Sequence, residues 1–138
     1  MSRILPRPTT LSQPYWDGCR EGVLLLQKCQ KCGEFQFYPR IMCSSCGSDD
    51  LHWQAVSGRG SVASYTIVRR GITADYPAPY VVALIDLQEG PRMMSSVIGV
   101  AAESVCVGLP VEVTFTDWSD EIAVPEFRPV IHASGDNP

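Results

Sequence analysis

Residues 29–47 open on Cys29-Gln30-Lys31-Cys32-Gly33, run through Glu34-Phe35-Gln36-Phe37-Tyr38-Pro39-Arg40-Ile41-Met42, and close on Cys43-Ser44-Ser45-Cys46-Gly47. Each end is a Cys-x-x-Cys-Gly turn. There both thiolates point to one side, successive backbone N–H groups can donate to the sulfurs, and glycine takes the positive φ that closes the knuckle. The ten residues from Gly33 to Met42 suffice for a strand and a return. A doubled knuckle at this spacing argues for a zinc ribbon with Cys29, Cys32, Cys43 and Cys46 around one ion, and against disulfides or a redox pair. Four Cys ligands leave no open coordination position, so this zinc holds the fold and does not activate water. Iron takes the same ligand set, which keeps a small electron carrier as an alternative. Cys19 and Cys106 stand outside the knuckles and read as buried or half-buried thiols.

Upstream, residues 1–22 read as an arm and a short helix. Residues 1–10 are extended; Ser12 is placed to cap the helix, Pro14 sits in its first turn, and Gly22 ends it. Leu11, Tyr15, Trp16 and Cys19 recur near the helical period, and the Tyr15–Trp16 pair is a candidate partner contact. The ribbon spans residues 23–57, with strands expected at 23–28, 34–38 and 51–56. His52 lies six residues beyond Cys46 and reads as a surface or half-buried strand residue, since the ion already has four sulfurs.

From Ser57-Gly58-Arg59-Gly60 onward the strands lengthen. Residues 58–131 carry strands at 61–68, 80–87, 92–98, 110–118 and 127–131, with Gln88-Glu89-Gly90-Pro91 as a hairpin turn. Five strands fit a small closed barrel of the OB type; an SH3-like barrel or an open meander has the same strand count. Residues 132–138 form a tail. The fold class is therefore mainly β: a short N-terminal helix, a zinc ribbon and a C-terminal barrel.

The 138 residues suffice for one ordinary domain or a compact domain plus a small module. No apolar run approaches the roughly 20 residues that span a bilayer, and Met1-Ser2-Arg3-Ile4-Leu5-Pro6 lacks the apolar stretch of a signal peptide, so a soluble cytoplasmic protein is expected. Residues 1–59 carry seven Lys/Arg against five Asp/Glu, and residues 60–138 four against ten. Nucleic-acid affinity rests on Lys and Arg that neutralise phosphates. The acidic second half disfavours a ribbon/OB nucleic-acid binder, which is the runner-up function.

Nucleophilic catalysis needs a Ser, Cys or Lys beside an oriented base. The two histidines, His52 and His132, follow no nucleophile elbow, and no P-loop or dinucleotide fingerprint is present. Asp120 and Glu121 read as a solvated acidic turn. The chain alone reads as non-catalytic. One loop, Arg69-Arg70-Gly71-Ile72-Thr73-Ala74-Asp75-Tyr76-Pro77-Ala78-Pro79, joins two cations to an aromatic residue. Arg69 and Arg70 can hold a phosphate bidentately, and Tyr76 is a candidate partner contact.

Pro14-Tyr15-Trp16-Asp17-Gly18 with Glu21-Gly22, the two knuckles with Tyr38-Pro39-Arg40 between them, Ser57-Gly58-Arg59-Gly60-Ser61-Val62, Glu89-Gly90, Val107-Gly108 and Phe127-Arg128-Pro129 come in an order that resembles the acyl-CoA-associated zinc-ribbon/OB-fold proteins, long called domain of unknown function 35. The resemblance covers about residues 12–131. It implies a rubredoxin-like ribbon and an OB barrel in an auxiliary subunit of a hetero-oligomer. The expected partner is a thiolase-like or related acyl-CoA or acyltransferase enzyme, including β-ketoacyl-CoA synthase, sterol side-chain aldolase and hydratase assemblies. In such complexes the chemistry is the partner's, and the small subunit bridges subunits and helps shape the acyl-CoA channel. A coenzyme A thioester at the shared interface is implied with it, and membrane association is not.

Overall fold

A computed structural model describes residues 5–71 and 78–130. Tyr76 and the tail at 132–138 lie outside the described residues. The chain folds as helix α1 (Gln13–Arg20), a ribbon sheet of β1 (Leu25–Cys29), β2 (Phe35–Gln36) and β3 (Leu51–Ala55), and a barrel of β4 (Arg59–Val68), β5 (Tyr80–Leu87), β6 (Arg92–Val97), β7 (Pro110–Asp117) and β8 (Ala123–Pro129).

The ribbon sheet runs β2-β1-β3 and is antiparallel, with Gln27 opposite Gln36 and Lys28 opposite both Phe35 and His52. β2 is two residues long, shorter than the expected 34–38. Phe37 packs its ring edge-on to Tyr15 of α1, with centroids 5.8 Å apart.

The barrel closes in the order β4-β5-β6-β8-β7. Closure removes the open meander. The insertion of β8 between β6 and β7, parallel to β6 through Val97 and Phe127, is Greek-key connectivity, as in the OB fold. β5 shows the driving pattern. Val81, Ala83, Ile85 and Leu87 face inward while Tyr80, Val82, Leu84 and Asp86 are half-buried, the period-2 alternation of a sheet with one face on the core. β8 begins at Ala123, earlier than the expected 127, because Asp117 pairs with Ala123 and Trp118 N–H donates to the Ile122 carbonyl at 2.8 Å. Asp120 and Glu121 are exposed at the tip of that hairpin.

Helix, ribbon and barrel share one core, in which Tyr15, Cys19, Leu24 and Leu26 join Val62, Ile85, Val111 and Phe127. α1 lies against β1, β7 and β8. Gly18 makes that approach feasible: a Cβ there would stand 2.8 Å from the Val23 carbonyl oxygen and 2.9 Å from the Leu25 side chain. The arm is thus docked inside the chain, and Tyr15 is 7 % exposed. Ser12 occupies the N-cap position without capping. Its Oγ accepts from the Thr9 N–H at 2.9 Å, and Gln13 Nε2 donates to Asp17 along the helix at 2.8 Å. Among the described residues no helix is long and apolar enough to cross a membrane.

Candidate metal centre and the groove beside it

The two knuckles bring four sulfurs together, with every pair within 4.8 Å, and Cys29–Cys46 and Cys32–Cys43 each at 3.6 Å. A tetrahedral ion with metal–sulfur bonds of about 2.3 Å has sulfur–sulfur edges of about 3.8 Å. The donor set therefore fits one tetrahedral zinc. Gly33 and Gly47 have φ of 81° and 79°, so each chain reversal needs the left-handed conformation that glycine adopts without strain. The Cys32 and Ser45 N–H groups donate to the Cys29 and Cys43 sulfurs at 3.5 and 3.3 Å.

These donors act on the thiols. The N–H groups of Cys32 and Lys31 hold Cys29 below the ordinary thiol range. Those of Cys46 and Ser45 bring Cys43 down to about 6. Cys32 receives the Glu34 N–H, which lowers it, but burial and the neighbouring sulfurs of Cys43, Cys29 and Cys46 outweigh that donor and push it up to about 12. Binding of a divalent cation needs thiolates and releases the protons that the crowded sulfurs hold. His52 is exposed and meets Asp50 at 2.9 Å, outside the four-sulfur cluster.

Beside the ribbon lies an apolar groove of about 580 Å³, with Trp16, Phe37, Met93, Met94, Ile98 and Trp118 among its lining. Tyr15 sits edge-on between Trp16 and Phe37, with centroids at 5.0 and 5.8 Å, and Phe37 meets Tyr38 at 5.2 Å. Of the expected partner contacts, Tyr15 is a buried core residue here, whereas Trp16 is half-buried at the groove. Among the described residues, Glu126 is the only charged one in the lining.

Arg69 reaches Glu103, which lies in a 3-10 turn at Ala102–Ser104, at 3.1 Å. A backbone N–H and Arg69 hold the Glu103 carboxyl below the usual range. Arg70 is exposed. Cys19 is buried, as expected, and burial pushes its thiol up to about 12. Cys106 is exposed, contrary to expectation, because the buried position of that segment goes to Val105.

Two features escape a reading by motif. Gln27 and Gln36 are buried polar residues of the ribbon, and their only sequence signal is an amide at an inward strand position among apolar neighbours. The methionines of β6 reach the groove because β6 and β8 separate there, which depends on three-dimensional pairing.

Two family models match in tandem: "ChsH2, rubredoxin-like zinc ribbon domain" over residues 16–52 and "ChsH2, C-terminal OB-fold domain" over residues 53–116. A DUF35 domain-containing scaffold protein of Pyrococcus furiosus is 35% identical over 108 residues, 77% of this chain and 78% of that protein. A probable enoyl-CoA hydratase alpha subunit of Thermomonospora curvata is 30% identical over 93% of this chain, which spans 41% of that longer relative. The benzoylsuccinyl-CoA thiolase subunit BbsA of Geobacter metallireducens is 31% identical over 70% of this chain and 59% of its own. Among solved structures, a chain of the Ltp2-ChsH2(DUF35) aldolase superposes with a TM-score of 0.84 at 28% identity, covering 92% of this chain and 100% of that one. With its paired knuckles and Greek-key barrel in this order, the chain belongs to the DUF35 family of ChsH2-type zinc-ribbon and OB-fold proteins.

Proposed function

We propose that this protein is an auxiliary subunit that works beside a thiolase-like or related acyl-CoA enzyme, bridging subunits and helping to shape the path of an acyl-CoA thioester. The observation that carries the reading is the likeness, over nearly the whole chain, to one component of a structure described as an Ltp2-ChsH2(DUF35) aldolase. Relatives described as a scaffold protein and as a thiolase subunit support it. The chemistry of this chain agrees. Its cysteine cluster is coordinatively closed, and neither His52 nor the exposed acidic turn forms a nucleophile–base pair.

A partner would engage the groove at Trp16 and Met94 and extend to Tyr38, which packs on Phe37 of the lining; Met94 and Tyr38 are exposed. Large aromatic side chains in such positions contribute disproportionately at interfaces. Among the described residues the lining holds no Lys or Arg, which favours an apolar protein surface over a polyanion. Arg69 and Arg70 would face the phosphates of coenzyme A, with Tyr76 at the partner contact. Arg69 would then exchange Glu103 for phosphate, a small cost for an exposed ion pair. Zinc supplies structure here and no chemistry of the reaction.

The test is co-purification from the native host, identification of the bound chain and assay of the complex with acyl-CoA thioesters. Recovery with an acyl-CoA enzyme whose activity needs this subunit is the expected result. Turnover of a thioester by the lone chain overturns the reading. Recovery in a salt-sensitive complex with RNA or DNA also overturns it. Arg69→Ala combined with Arg70→Ala is expected to weaken acyl-CoA affinity of the complex; unchanged affinity and assembly removes that assignment alone.

A further inference from the structure

The backbone hydrogen bonds that close the two knuckles correspond position by position. The Cys29 and Cys43 N–H groups donate to the carbonyls of Glu34 and Ser48 at 2.9 and 2.7 Å, and those of Gly33 and Gly47 to the carbonyls of Cys29 and Cys43 at 2.9 and 3.0 Å. The correspondence breaks at the residue after the first cysteine. In the first knuckle, Gln30 N–H donates to the backbone carbonyl of Asp50 at 2.9 Å. In the second, Ser44 N–H donates to a side chain, Oε1 of Gln36, at 2.9 Å.

That oxygen belongs to a buried amide pair. Gln36 Nε2 donates to Gln27 Oε1 at 2.8 Å, the same oxygen accepts Arg40 N–H at 2.8 Å, and Gln27 Nε2 donates to the Arg40 carbonyl at 3.0 Å. The residues are register partners across β1 and β2 and are 4 % and 7 % exposed. The two backbone N–H groups can only donate, so they fix the orientation of both side-chain oxygens and leave both nitrogens facing acceptors. A buried amide is costly unless it is bonded, and a leucine would fill the same space. What an apolar residue cannot do is hold Arg40 and Ser44.

We infer that Gln27 and Gln36 are positioning residues for the second half of the zinc centre. They set Ser44 so that the next N–H, that of Ser45, reaches the Cys43 sulfur. They also clamp Arg40 in the turn that carries Tyr38 and Ile41, which are 64 % and 74 % exposed. The inference concerns the metal centre and stands independently of the subunit reading.

The zinc-loaded 138-residue chain tests it with Gln36→Leu and Gln36→Glu, read by amide hydrogen exchange and by zinc transfer to the chelating dye 4-(2-pyridylazo)resorcinol. Gln36→Leu removes both bonds. It is expected to speed exchange at Ser44 about tenfold and zinc transfer by about 10- to 100-fold, with Gln30 and Gly33 unchanged. Gln36→Glu keeps an acceptor for Ser44 but sets an oxygen against Gln27 Oε1, so Arg40 should exchange faster while Ser44 stays protected. Equal acceleration in both knuckles overturns the inference by showing general loosening, and so does wild-type zinc transfer in Gln36→Leu. If Gln36→Leu does not fold, Gln36→Glu decides: Arg40 loosened with Ser44 held supports the assignment, and any other pattern at those two amides overturns it.

Discussion

The ribbon and the barrel meet the same requirement by opposite means. The barrel closes strands of six to ten residues around Val62, Ile85, Val111 and Phe127, so burial of apolar surface holds it. The ribbon has one five-residue strand, Leu25–Cys29, against a two-residue and a five-residue neighbour, and much of β3 and of the knuckles is exposed. Apart from Leu24 and Leu26, which join the shared core, it offers little apolar surface against the entropy of ordering its chain. The missing stabilisation falls to four sulfurs and an ion. One region is specified by pattern, the other by a few residues at fixed spacing.

The largest test of that contrast is Cys43→Ser. Structural zinc in comparable peptides contributes about 10–16 kcal/mol of apparent binding free energy that is also folding free energy. The variant should retain no stoichiometric zinc by elemental analysis, lose amide protection over residues 25–55, and keep it across β5 and β8. Loss of barrel protection to the same degree would mean that the shared core, through Leu24 and Leu26, makes the two regions one cooperative unit.

The reciprocal change is Phe127→Ala. Phe127 is among the largest fully buried side chains, and truncations of this kind cost about 3–5 kcal/mol. A sharp fall in the barrel melting temperature is expected, with the zinc content of the folded protein unchanged. Zinc lost from the folded variant would contradict a division of labour between core and ion.

At the seam between the regions stands Cys19, whose thiol burial raises from 9.0 to about 12. The unfolded chain releases this proton first as pH rises, so the folded state binds more protons in that window. The contribution is therefore full below about pH 9 and is lost toward pH 12; Tyr15, raised by burial, acts in the same direction. Denaturant titrations from pH 8 to 11 should show falling stability, flattened in Cys19→Ala. A maleimide at pH 8 should label Cys106 and spare Cys19.

The ribbon was legible in the sequence because metal geometry constrains spacing: Cys29, Cys32, Cys43 and Cys46 with Gly33 and Gly47 leave little freedom. The strands were legible where one face is buried, as in β5, whose limits coincide with the expected 80–87. Order around the barrel was not, because strand count carries no information about which edges meet. The start of β8 was hidden by Glu121 and Pro125 in the segment Glu121-Ile122-Ala123-Val124-Pro125-Glu126, residues that local propensity assigns to loops. The docking of Tyr15 depended on Gly18, whose missing side chain admits β1 beside the helix, and on Phe37, which reaches Tyr15 from the ribbon; neither contact has a local pattern.

The smallest expected effect concerns the place where the barrel is most open. Val130 N–H donates to the Pro110 carbonyl, and the register of β8 with β7 then turns the amides of Arg128, Glu126 and Val124 toward β7 and those of Phe127, Pro125 and Ala123 toward β6. Pro125 has no N–H to give. β6 and β8 accordingly share one register pair, Val97 with Phe127, while β5 and β6 share six, and Ser95 Oγ bridges to the Pro125 carbonyl at 3.0 Å. Pro125→Ala supplies a donor aimed at the Met94 carbonyl. A new bond of this kind adds about 0.5–1.5 kcal/mol, reduced by the wider freedom of the unfolded chain once proline is gone, about 0.4–1 kcal/mol. The net change in melting temperature should be near zero or slightly upward, with the new residue-125 amide protected from exchange and the groove beside Met94 narrowed. A residue-125 amide that exchanges as fast as an exposed loop would show that side chains, not the missing donor, hold β6 and β8 apart.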